Sequence, residues 1–142
     1  IESGSAELVL PSDVITATEF DQDSPALSRN YSSIPTGDFI LDIGPNTSRT
    51  FSKIIAAAET LIWNGPMGVF EWSAFANGSR AIADAIASNG HATSVIGGGS
   101  TAEVVGALGL SAQISHVSTG GGASLEFLEG KLLPGVAALD NA

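Results

Sequence analysis

Two glycine triplets carry most of the chemistry this sequence can do. Gly97-Gly98-Gly99-Ser100-Thr101 leads into a helical pattern that starts at Ala102, and Ser118-Thr119-Gly120-Gly121-Gly122-Ala123-Ser124 repeats the design. Glycine lets a backbone approach an anion closely, and a helix N-terminus presents unpaired N–H groups at the positive end of its dipole. Ser100 or Thr101 can cap the following helix and touch a phosphate or its metal. Each triplet also reads as a tight strand-to-helix turn with no ligand. The lysine of the G-x-x-x-x-G-K-[ST] phosphate loop is absent, so any phosphate grip here is of another kind. Two such loops in one sheet would face one ligand from two sides. Phosphoryl transfer asks mainly for positioning and charge stabilisation, which backbone amides supply.

A third segment is Trp63-Asn64-Gly65-Pro66-Met67-Gly68-Val69-Phe70-Glu71. Gly65-Pro66 and Gly68 impose an unusual loop, and Glu71 follows it. A carboxylate near a nucleotide commonly accepts hydrogen bonds from ribose hydroxyls. The bland alternative is an acid that complements a helix N-terminus. Asp42, in Leu41-Asp42-Ile43-Gly44-Pro45, reads equally as a site residue at a strand end or as a cap for the helix that follows. His116 lies inside a strand pattern and His91 in a loop, where structural or inert roles are expected. No His/Asp/Glu group has metal-ligand spacing, and Ser118 and Ser124 lack a nucleophile-elbow signature. A nicotinamide-binding unit would show G-x-G-x-x-G after a first strand and an acid about 20 residues on, and that full signature is missing.

The elements that must hold these residues are short apolar runs closed by turn residues: 6–10 (AELVL), 39–43 (FILDI), 60–64 (TLIWN), 93–96 (TSVI) and 114–118 (ISHVS). Such runs read as buried parallel strands. Helical spacing fills the gaps over 47–58, 72–88, 102–108 and 123–128. The polar stretch 16–37, with Pro25 and Pro35, reads as an excursion at the sheet edge. Alternating strands and helices predict an α/β fold with a parallel sheet. The glycine clusters fall at the carboxyl ends of the strands, where open α/β sheets bind ligands.

The chain has 142 residues, 44% of them hydrophobic and 14% charged, which predicts a folded unit with a sizeable core. The net charge is −10, and the five basic residues are scattered, which argues against nucleic-acid binding. No apolar run is long enough for a membrane span, and the first residues do not read as a signal peptide. The absence of cysteine excludes disulfides and fits a reducing compartment. An acidic surface repels phosphorylated ligands, so backbone amides, or cations from outside this sequence, must offset that repulsion.

These motifs resemble phosphoglycerate kinase, in the same order and over nearly the whole chain. The resemblance rests on the Trp63 to Glu71 run, Gly97-Gly98-Gly99-Ser100-Thr101, and Ser115-His116-Val117-Ser118-Thr119-Gly120-Gly121-Gly122-Ala123-Ser124-Leu125-Glu126. It extends to Leu128-Glu129-Gly130-Lys131, Leu133-Pro134-Gly135-Val136, Leu10-Pro11-Ser12-Asp13 and the Leu41 to Pro45 segment. It implies a cytoplasmic, usually monomeric glycolytic enzyme that transfers a phosphoryl group reversibly between 1,3-bisphosphoglycerate and ADP, giving 3-phosphoglycerate and ATP. The family has two Rossmann-like domains. Residues 1–142 would be a partial C-terminal, nucleotide-binding domain: an incomplete three-layer parallel sheet with helices on both faces. The N-terminal domain, the substrate arginines and the phosphate-binding lysines would lie upstream, so the piece is expected to be inactive alone and to expose apolar surface where upstream strands pack.

By the same resemblance, Glu71 binds the ribose, Leu41 borders the adenine, and Asn64, Gly65 and Pro66 lie along the nucleotide. Gly98, Gly99, Ser100 and Thr101 line the phosphates and Mg²⁺, while Gly120, Gly121 and Gly122 present catalytic amides to the transferring group. Ser118 and Thr119 fall in the hinge. Two departures stand out. The family usually has aspartate where Ser100 stands, so a neutral hydroxyl replaces the metal-binding carboxylate, and Ile40 occupies a position that is often glycine. The alternative reading is a nucleotide-binding module without catalysis.

Overall fold

The computed structural model describes residues 6–139. Among these residues six strands form two separate three-stranded sheets. In the first, ordered β2-β1-β3, β1 (Asp13–Ala17) pairs antiparallel with both β2 (Leu27–Asn30) and β3 (Phe39–Ile43). The second is parallel and ordered β4-β5-β6, with β4 (Thr60–Asn64), β5 (Thr93–Gly97) and β6 (His116–Ser118). Helix α1 (Pro45–Ala57) joins the sheets. In the parallel sheet, α2 (Asn77–Ser88) and α3 (Gly99–Ala107) are the crossovers that parallel pairing requires. Helices α4 (Gly121–Leu128) and α5 (Pro134–Ala137) follow β6.

The period of two along β4 and β5 sets the layers. Trp63 and Ile96 point to one face and are buried with Ile82, Ala83 and Ile86 of α2 and Val104 and Val105 of α3. Ile62 and Val95 point to the other face, which α4 flanks. Helices therefore lie on both faces of the parallel sheet, as the sequence predicts. The α4 face is thinly covered: Ile62 is 45% exposed and Phe127 70% exposed.

The antiparallel sheet corrects the sequence reading. Residues 39–43 form a strand, but its partner is an antiparallel β1, and the supposed excursion 16–37 contains the end of β1 and all of β2. Residues 6–10 form no strand. Leu8 and Leu10 are exposed there, and an extended run without a ladder partner stays irregular. The helix expected over 72–88 starts at Asn77, after a short 3₁₀ turn at Ser73–Phe75.

Neither α1 nor α2 has a side-chain cap from its own N-cap residue, Gly44 and Ala76. A carboxylate from a neighbouring strand does that work for each. Asp13 of β1 accepts the Asn46 and Thr47 amides at 3.0 and 2.7 Å, and the Thr47 hydroxyl at 2.7 Å. Asp42 of β3 accepts the Gly78 amide at 2.7 Å. Asp42 therefore caps α2 rather than α1, the helix that follows it. Glycine is needed at both sites: a Cβ at Gly44 would lie 2.3 Å from Asp13 Cγ, and one at Gly78 2.2 Å from Asp42 Oδ1.

Candidate functional site

The parallel register brings Asn64, Gly97 and Ser118 side by side at the carboxyl ends of β4, β5 and β6. Beyond them the chain turns in glycine: Gly65 and Gly98 have φ of +102° and +94°. L side chains rarely adopt that region. The Gly98 amide donates to the Ser118 carbonyl at 3.0 Å, which ties the first glycine loop to the base of the second. A Cβ on Gly121 would sit 2.8 Å from Gly98 Cα and 3.0 Å from Asn64 Oδ1. The two triplets therefore touch through bare backbone, with the Asn64 amide between them.

Helix α3 starts at Gly99 and α4 at Gly121, and neither has a side-chain cap. Their first intrahelical bonds run from Ala102 to Gly98 and from Ser124 to Gly120. The amides of Gly99 and Ser100 and those of Gly121 and Gly122 are thus first-turn donors that intrahelical bonds leave unused. Two positive helix ends thus converge at the edge of the parallel sheet and present backbone donors of the kind that suit an anion. Ser118 closes the second loop: its Oγ accepts the Gly120 amide at 3.2 Å, and the Ser124 hydroxyl donates to the Gly120 carbonyl at 2.9 Å. Below the triplets runs a groove of about 450 Å³ between the open sheet face and α4, lined by Ile62, Asn64, Val95, Ser118, Leu125 and Phe127.

Thr101 is 1% exposed, and its Oγ1 accepts the Gly65 amide at 2.8 Å. It is a strut from α3 to the loop after β4. Ser100, one residue earlier, is exposed and free to meet a ligand. Its hydroxyl is one neutral oxygen donor, and no cluster of three or more His, Cys, Asp or Glu stands among the described residues. That donor set fits a single ligand position on Mg²⁺ whose remaining oxygens come from phosphates and water.

The loop between β4 and Glu71 is held by alternate amides. Gly65 donates to Thr101, Met67 to Ser79 Oγ of α2 at 2.9 Å, and Val69 to the Leu41 carbonyl at 2.9 Å. The last bond exists because β3 bulges. Ile15 pairs with Asp42 and Thr16 with Ile40, which leaves Leu41 as the extra residue with its carbonyl turned out of the ladder. The Leu41 side chain is 3% exposed and packs with Ala17 and Phe75. Glu71 is exposed at the end of this loop. Trp72 beside it packs at a tilt against the exposed ring of Phe20, centroids 4.8 Å apart, and Phe20 likewise against Phe39 at 5.9 Å. Ile40, 58% exposed, pairs with Thr16 and so points to the other face of β3 from Phe39.

The candidate residues thus fall into two groups. Asn64, Gly65, Gly98, Gly99, Ser100, Gly120, Gly121 and Gly122 gather at the strand ends. Leu41 and Glu71 are linked through Val69, and Pro66 lies on the loop between the groups. His116 is exposed on the open sheet face, and His91 is exposed as well. Sequence reasoning missed Ser79, Phe20 and the pairing of Asp42 with Gly78. Only Phe20 had a local signal, as a lone aromatic in a polar stretch.

Comparison with known proteins identifies the family and the fold. The family model for phosphoglycerate kinase matches residues 1–131. The phosphoglycerate kinase of Koribacter versatilis is 54% identical over 136 residues, covering 95% of this chain and 34% of that protein. That of Herpetosiphon aurantiacus is 50% identical over 135 residues, with the same coverage. The structure of phosphoglycerate kinase from Coxiella burnetii superposes with a TM-score of 0.82 at 49% identity, over 87% of this chain and 32% of that one. The chain spans about a third of the length of the relatives it matches. By sequence and by fold, the chain belongs to the phosphoglycerate kinase family.

Proposed function

We propose that this chain supplies part of the Mg-nucleotide site of a phosphoglycerate kinase, as most of its C-terminal domain. In the longer protein that site would serve reversible phosphoryl transfer between 1,3-bisphosphoglycerate and ADP, giving 3-phosphoglycerate and ATP. The observation that carries this reading is the meeting of two uncapped helix N-termini at Gly98 and Gly121, with Asn64 between them.

In this reading Gly98, Gly99 and Ser100 hold the nucleotide phosphates, and the amides of Gly120, Gly121 and Gly122 face the group in transfer, where donors fixed in advance stabilise developing charge. Glu71 accepts hydrogen bonds from the ribose hydroxyls. The apolar surface of Phe20, Phe39 and Trp72 beside it, with Leu41 behind, suits a nucleobase. Thr101 acts through Gly65 instead of touching phosphate. Magnesium would neutralise phosphate charge, with Ser100 Oγ as one ligand. The phosphoglycerate would be held mainly by the N-terminal domain, closure would be felt at Ser118 and Thr119, and the setting would be a monomeric cytoplasmic enzyme. No described helix is long and apolar enough to cross a membrane.

A second reading, nucleotide binding without catalysis, draws on Ser100, a neutral hydroxyl at the start of α3. Calorimetric titration with ADP, with and without Mg²⁺, tests both. Binding that strengthens with Mg²⁺ supports the kinase site. Binding indifferent to Mg²⁺ supports the second reading. A folded chain that binds neither would sink the assignment of the site to this chain.

A further inference from the structure

We propose that Asp42 is the positioning residue for Glu71, closing the segment that carries it at both ends; this rests on the ribose role of Glu71 above. Asp42 is 1% exposed, and burial pushes its carboxyl above the ordinary 3.8 against the pull of the Gly78, Ile43 and Asn77 amides. The ion pair among the described residues, Lys131 with Glu129, is elsewhere on the surface. A buried carboxylate without a cation is a costly way to finish one helix, and a serine or aspartate at Ala76 would do so locally.

What position 42 alone offers is contact with two remote glycines at once. Its Oδ2 accepts the Gly78 amide at 2.7 Å, and its Oδ1 the Ile43 amide at 2.8 Å. On its other side lies Gly68, so close that a Cβ there would be 2.6 Å from Asp42 Oδ1 and 2.7 Å from its Cα. Gly68 and Gly78 are the two ends of the segment that contains Glu71. Val69 adds its bond to Leu41, the neighbour of Asp42. Between those ends the backbone is held by short turns, Phe70 to Gly68, Trp72 to Val69 and Phe75 to Trp72, and by the burial of Phe75 against Ala17 and Leu41. The carboxylate bonds one end of the segment and packs against the other, so together with the Leu41 carbonyl it bears on where Glu71 points.

The test uses Asp42→Asn, which keeps the volume and turns one acceptor into a donor facing Gly78 or Ile43. Amide exchange followed by NMR should quicken about tenfold at Val69, Trp72 and Phe75 as well as at Gly78, with Val104 and Val105 of α3 unchanged. Quickening confined to the first turn of α2 would overturn the proposal and leave Asp42 a helix cap. Preference for ADP over its 2′,3′-dideoxy analogue gives a readout that capping alone does not move. Glu71→Gln and Asp42→Asn should each abolish most of it, and the double variant should lose little more. Additive losses would count against positioning. Gly68→Ala crowds the Leu41 carbonyl and Asp42 Oδ1 together at that end of the segment and should also lower the preference, even if Asp42→Asn folds poorly. A parent chain with no preference between the two nucleotides would fail the ribose reading alone, and the exchange pattern would still decide the role of Asp42.

Discussion

Thr101 Oγ1, buried in the first turn of α3, accepts the amide hydrogen of Gly65 at 2.8 Å, so the loop after β4 is anchored to the helix after β5. A hydroxyl in a glycine-rich loop invites a ligand role, yet this one is buried and accepts a bond from within the protein. Thr101→Val keeps the shape and orphans the Gly65 N–H, which should cost about 1–3 kcal/mol in urea unfolding. Thr101→Ser should recover most of that, because the acceptor returns. Equal loss in both variants would point to packing of the methyl group instead.

Much of this was legible in the sequence, and the limits have a physical cause. The parallel strands, their glycine closures and the helices after them follow from period and turn chemistry, which are local. The antiparallel β3 was misassigned because FILDI has the same apolar character whichever direction its neighbour runs. Asp42 reads in the sequence as a site residue or a cap for the next helix, and nothing local marks Asp13 as a cap at all. Their partners lie 36 and 34 positions away and appear only once the strands and helices pack. The glycines at 44, 68 and 78 carry the same message, since each is explained by a carboxylate or carbonyl distant in sequence.

The two buried carboxylates should respond to acid in opposite senses. Burial pushes Asp13 up, but hydrogen bonds from Thr47 and Asn46 outweigh it and hold the carboxyl below 3.8. Its contribution is present above the unfolded value and is lost as pH falls through the folded one. Asp42 is held above 3.8, so its charge disfavours the fold at neutral pH, and that cost fades as pH falls through the raised value. Asp13→Asn should therefore cost most at pH 7, about 1.5–3 kcal/mol, with the gap closing below pH about 4. Asp42→Asn should cost more at pH about 4 than at pH 7. Urea midpoints of parent and variants across that range check both signs.

Ser100 can be tested by restoring a charge. It is exposed in the first turn of α3, where an acid complements the helix dipole by about 0.3–1 kcal/mol. Ser100→Asp should weaken ADP binding without metal, through repulsion of phosphate, and strengthen it with Mg²⁺. The ratio of the two affinities should rise by about tenfold or more. An unchanged ratio would mean that position 100 does not reach the metal.

The second glycine triplet is not uniform, and its members should answer differently to the same methyl group. At Gly121 a Cβ would meet the Gly98 backbone at 2.8 Å and Asn64 Oδ1 at 3.0 Å, whereas at Gly122 nothing lies within 4 Å. Gly121→Ala must push the two loops apart, at a cost of about 1–3 kcal/mol. It should also weaken phosphate binding, because the two sets of amides no longer converge. Gly122→Ala lies inside α4, keeps its amide, and should stabilise the helix by about 0.5–1 kcal/mol. If the methyl of Gly122→Ala instead abolishes nucleotide binding in a chain of raised stability, the ligand passes directly over that residue. Paired measurement of unfolding midpoint and ADP affinity in the two variants therefore separates glycine required by the approach of the loops from glycine required by the approach of the phosphate.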